Sequence, residues 1–132
     1  MELLFLTLWT VVAIILGEQE AILFHIRPEL GFKYKHIHVL FTAFRGIIAT
    51  ILIYGLKCSY LMLIPATLTF PFYHDGAYYV VRNKLNPTIY KLRWKAQSHG
   101  TTAIFSFTYS TRLYFLLIGY MALIWILLGL YL

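Results

Sequence analysis

Charge is what this sequence has least of. Only 12% of its 132 residues are Asp, Glu, Lys or Arg, about half the share of an ordinary soluble domain. The single cysteine, Cys58, excludes an internal disulfide and a CxxC redox pair. GxSxG, HExxH and glycine-rich phosphate-loop patterns are absent, so the sequence offers no recognisable serine-hydrolase, zincin or P-loop chemistry. Internal repeats and low-complexity tracts are absent as well.

In place of charge the chain carries 61% hydrophobic and 18% aromatic residues, a composition of polytopic membrane proteins. The run from Leu113 to Leu132 holds no charged residue. As a helix rising about 1.5 Å per residue it would match the roughly 30 Å hydrocarbon core of a bilayer. A chain this short cannot wrap such a helix on all sides, so the other apolar runs read as spans too. The start, MELLFLTLWTVVAIILG, lacks the basic region and small-residue cleavage site of a signal peptide and reads as a retained span.

Four spans follow, over residues 3–26, 38–56, 60–81 and 103–132, with a polar, basic loop at 82–102 and a single polytopic domain at 1–132. Arg27-Pro28-Glu29 stops the first span. Pro65 and Pro71 predict a kinked or interrupted third span. A short interfacial helix is expected near Tyr90 to Ala96, and Asn86-Pro87 and His99-Gly100 are turn signals. The expected class is an all-α integral membrane bundle of four transmembrane helices.

Orientation is read from the bases. The first and third loops hold Arg27, Lys33, Lys35, Arg82, Lys84, Lys91, Arg93 and Lys95, whereas the second loop and both ends hold only Lys57. This asymmetry puts loops 1 and 3 in the cytoplasm and both termini outside, as in a bacterial inner (plasma) membrane. The same bases would meet anionic headgroups, with Trp94 and several tyrosines at the interface. No basic module is large enough to read a nucleic-acid groove.

Ionisable residues inside spans are costly, and each marks a candidate site. They are Glu18, Glu20 and His25 in the first span, Arg45 in the second, His74 and Asp75 in the third, and Arg112 in the fourth, with His36 and His38 at the mouth of the second. Helical spacing puts Glu18 with His25, His38 with Thr42, Arg45 and Ala49, and Thr108 with Arg112 and Gly119. If those faces point inward, a polar chamber lies in the cytoplasmic half of the bundle.

Glu18, Glu20, His74 and Asp75 are then candidates for acid/base work. Arg45 and Arg112 are candidates for holding a substrate anion or orienting the carboxylates. A divalent metal (zinc, iron or manganese) held by His25, His36, His38, His74 and Asp75 is the sharper alternative, though the spacing matches no established ligand pattern. The bland alternative is ion pairing as helix glue. The chain thus reads as an enzyme or binder of an amphiphilic or phosphate-bearing substrate. Other readings are an oligomeric ion channel or transporter and a non-catalytic assembly or holin-like module, a homo-oligomer being one form of either. The segment FPFYHDGAYYVVRNKLNP is distinctive but names no activity.

Overall fold

The computed structural model describes residues 1–30, 36–96 and 107–131. These residues form four α-helices and no strand: α1 (Glu2–Ile26), α2 (His36–Leu56), α3 (Leu63–Leu85) and α4 (Tyr109–Tyr131). Single 3-10 turns lie at Tyr60–Met62 and Arg93–Lys95. Helices α1, α2 and α4 are long and apolar enough to cross a membrane.

The chain runs up and down. Trp9 reaches α3 at Ala66 and Gly17 reaches it at His74, so α1 and α3 are parallel. Glu20 meets Arg45 while Phe24 meets His38, so α2 is antiparallel to α1. Gly119 packs on Thr69 while Tyr109 stands near Phe72, which makes α4 antiparallel to α3.

Helix α3 is central, with α1 on one side and α4 on the other. That position explains its composition. The outward faces of α1, α2 and α4 carry exposed Leu8, Val11, Ile15, Phe44, Ile47, Leu117 and Ile124, an apolar coat suited to lipid. A helix enclosed by two neighbours needs no such coat and can hold His74, Asp75, Thr69 and Gly76 in its middle.

Small residues set the helix contacts. Ala13, Gly17 and Ala21 recur every fourth position along the buried stripe of α1, which lets backbones approach closely where lipid offers no hydrophobic drive. At the opposite end from the charges, Phe5, Trp9, Ile53, Met62 and Leu123 form the apolar core, tied by Trp9 Nε1–H donating to the Ala66 carbonyl at 2.9 Å.

Four differences from the sequence expectations have physical causes. The third helix is not interrupted: α3 runs continuously through Pro71. Pro65 falls in its first turn, where a missing N–H costs little. The same helix continues past 81 to Leu85, shortening the loop. The expected interfacial helix near Tyr90 to Ala96 is only the 3-10 turn Arg93–Lys95. Finally, α4 starts at Tyr109 rather than near Ala103, capped by the Thr108 hydroxyl, which accepts the Thr111 N–H at 3.2 Å. Thr108 is thus the cap of the face it was expected to share. His99-Gly100 and the basic connection at 31–35 lie outside the described residues.

Candidate functional site

Three helices bring four of the predicted residues together. Glu20 comes from the buried stripe of α1, Arg45 from the one face of α2 turned toward the bundle, and His74 and Asp75 from the middle of α3. Arg45 Nη2 donates to Glu20 Oε1 and lies 3.1 Å from His74 Nε2. Glu20 Oε2 stands 3.3 Å from the same nitrogen. On the ring's other side His74 Nδ1 is 2.9 Å from Asp75 Oδ1.

The imidazole is therefore clamped between two carboxylates, one on each nitrogen. With Nδ1–H donating to Asp75, Nε2 accepts from Arg45 when the ring is neutral and donates to Glu20 when it is protonated. Phe70 fixes the ring's plane, stacking on it at 4.7 Å, and the Arg45 guanidinium carbon lies 4.8 Å from the centroid of the same phenyl ring. Gly17 brings α1 this close to α3, since a Cβ there would stand 2.2 Å from the His74 carbonyl oxygen.

Glu20 and Arg45 also line a crevice between α1 and α2. Its volume is about 170 Å³, and its walls are Leu16, Leu23, Phe41 and Phe44, with Gln19 beside Glu20.

The remaining predicted residues stand elsewhere. Glu18 and His25 are exposed on α1, Glu18 two positions before Glu20 and His25 directly after the buried Phe24. His36 is exposed at the start of α2, and His38 packs its ring on Phe24 at 5.6 Å. Arg112 is fully buried but outside the quartet. It lies in the first turn of α4 and donates from Nη2 to the carbonyls of Trp94 (3.0 Å) and Ala96 (2.7 Å), so it pegs the 3-10 turn against the bundle. Its guanidinium lies near the rings of Tyr79 and Tyr109, and Asp75 is the carboxylate whose charge reaches it.

The five-ligand set His25, His36, His38, His74 and Asp75 is thus not assembled, and among the described residues no group of three His, Cys, Asp or Glu side chains is placed to hold a metal ion. Glu20 and Asp75 are arranged around the imidazole rather than around a common point.

Sequence reasoning missed Gly17, Phe70 and the crevice walls. The small-residue spacing Ala13-Gly17-Ala21 was the available signal, since the stripe it marks includes position 20 and not position 18. No protein-family model, curated protein or solved structure matches the chain.

Proposed function

We propose that the chain is a four-span membrane protein whose α1–α2 crevice binds an amphiphile, with Glu20 and His74 as an acid/base pair and Asp75 orienting the imidazole. On this reading α3 is the fourth span, the end bearing Arg27, Lys84, Lys91, Arg93 and Lys95 faces the cytoplasm of a bacterial-type cell, and both termini face outward. The observation that carries the reading is a buried histidine held between two carboxylates and in contact with Glu20 and Arg45, which line an apolar crevice. Arg45 lines that crevice and is the group positioned to meet a substrate's head. Arg112 supports the site only indirectly, through the turn that it pegs.

Native mass spectrometry of protein extracted in mild detergent tests the binding. The wild type should retain about one amphiphile per chain, and Leu16→Trp, which fills the crevice without touching a charge, should lose it. A wild type that carries no bound amphiphile, or a Leu16→Trp variant that retains the wild-type complement, would sink the proposal.

A second reading has its own support. Among its described residues α2 fully buries only Ala49 and Ile53, so the Arg45 contacts are a large part of what holds it, as ion-pair glue would be. The conduit reading has less support, since the hydroxyls of Thr7, Thr10, Thr42 and Thr50 bond to carbonyls one turn back in their own helices and do not form a polar lining.

A further inference from the structure

The excess positive charge of the chain lies after Asp75. Up to that point Arg27, Lys33, Lys35, Arg45 and Lys57 match the five acidic residues, and beyond it come Arg82, Lys84, Lys91, Arg93, Lys95 and Arg112 with no acid among them. Two of these are spent on structure. Arg112 is the buried peg, and Arg82 donates to the Tyr90 hydroxyl with its guanidinium carbon 4.5 Å from the centre of that ring. Lys84, Lys91, Arg93 and Lys95 are exposed, and none of them forms a salt bridge among the described residues.

The loop that carries them is tied down by a side chain of α3. Asn83 uses both atoms of its amide: Nδ2–H donates to the Tyr90 carbonyl, and Oδ1 accepts from Arg93 Nε at 3.0 Å. Arg93 itself has φ 47, a left-handed conformation that a residue with a Cβ adopts at a cost. With Nε engaged, its Nη1 and Nη2 bond to nothing among the described residues, and the residue is exposed. A guanidinium presented in this way offers two parallel N–H donors to a pair of phosphate oxygens.

Apolar side chains stand among the cations. Ile89 is 69% and Leu92 64% exposed, and Leu85 is exposed beside Lys84. A free inorganic anion would match the charge and leave those side chains in water. At the end of a membrane bundle the two kinds of side chain fit the level where headgroups meet acyl chains.

We infer that the loop after α3 is a binding site for one anionic phospholipid of the adjoining leaflet. The lipid phosphate takes the two Nη groups of Arg93, which Asn83 holds in place, and Ile89 and Leu92 enter beside the acyl chains. The inference rests on the membrane-spanning part of the reading above and not on the α1–α2 crevice.

The full chain, delipidated in mild detergent, is titrated with dioleoyl phosphatidylglycerol or dioleoyl phosphatidylcholine, and native mass spectrometry gives the dissociation constant of the first lipid. Phosphatidylglycerol should bind about tenfold more tightly, and Arg93→Lys, which keeps the charge and removes the fork, should weaken it about tenfold. Lys91→Gln removes a whole charge from an exposed position and should weaken it less than about fivefold. A loss in Lys91→Gln as large as in Arg93→Lys would make the loop an unselective basic patch and overturn the site. Equal binding of the two lipids overturns it as well. Displacement by inorganic phosphate at equal concentration, or by polyglutamate, would show that anionic charge suffices and overturn the lipid assignment. Leu16→Trp should leave the preference intact; its loss there would place the lipid in the crevice, overturning this inference while supporting that site. Because the titration is made in detergent, its failure leaves the four-span reading standing.

Discussion

A methyl group at position 17 would stand 2.2 Å from the His74 carbonyl oxygen and 3.2 Å from the Tyr78 nitrogen. Both are backbone atoms, so neither can swing aside and the two helices must part. Gly17→Ala should therefore cost about 1–3 kcal/mol, read as a lower Tm in detergent. Gly46 provides the control, since a methyl there would meet nothing within 4 Å, and Gly46→Ala should be neutral or stabilise by about 0.5 kcal/mol. If both variants melt alike, close approach at Gly17 is not what holds α1 to α3. At the far end of the bundle Cys58 is buried. Burial first, and then the Glu2 carboxylate, raise its thiol pKa above the ordinary 9.0. A raised pKa leaves less thiolate at any given pH, so maleimide labelling should be slow near neutrality and still rising with pH beyond 9.0. Glu2→Gln should speed labelling at fixed pH; an unchanged rate would remove the carboxylate's part. Lys57, just before it, has φ 54 and closes α2 with the Cys58 N–H donating to the Ile53 carbonyl at 3.0 Å. This is a Schellman end with lysine where glycine is usual.

Between helices the question is what the charges hold. Removing one partner of a buried pair leaves the other uncompensated, so Arg45→Gln alone and Glu20→Gln alone should each cost about 3 kcal/mol. The double variant should cost clearly less than their sum, and the coupling is what a double-mutant cycle measures. Strict additivity would mean that Glu20 and Arg45 do not interact in the folded bundle. Much of this arrangement was legible in the sequence: intramembrane Glu, Arg, His and Asp are expensive enough to turn inward, and Glu20, Arg45, His74 and Asp75 do meet. The rest was hidden by two features of helix geometry. Glu18 and Glu20 differ by two positions, about 200° around the axis, and charge alone does not choose between them; the Ala13-Gly17-Ala21 stripe does. Arg112 was misplaced because the apolar pattern before Tyr109 does not reveal where the helix begins, whereas the Thr108 cap does. The role of Arg112 depends on the carbonyls of Trp94 and Ala96, and main-chain partners of that kind leave no trace in residue types.

For the whole molecule, the apolar runs and the uneven bases support four crossings, yet α3 is the helix for which length and composition do not suffice. Its polar middle is compatible with a membrane because α1 and α4 cover it. An enclosed helix can cross while failing a hydropathy criterion that assumes exposure to lipid. Whether α3 crosses is decided by the sidedness of its two flanks. On a Cys58→Ser background, Lys57→Cys and Lys91→Cys place one thiol before α3 and one after it, both at exposed positions. In sealed, right-side-out vesicles an impermeant maleimide should label position 57 directly and position 91 only after the membrane is opened. Labelling of both from one side would make α3 a re-entrant or peripheral helix, and the Glu20–Arg45–His74 cluster would then lie near an interface. The reverse sidedness would keep four crossings but turn the basic end outward, against the asymmetry of Arg27, Lys84, Lys91, Arg93 and Lys95. Neutralising Lys84, Lys91, Arg93 and Lys95 together weakens that asymmetry without entering the bundle. A mixed orientation in that variant, beside a uniform one in the parent, would identify the bases as what sets the topology.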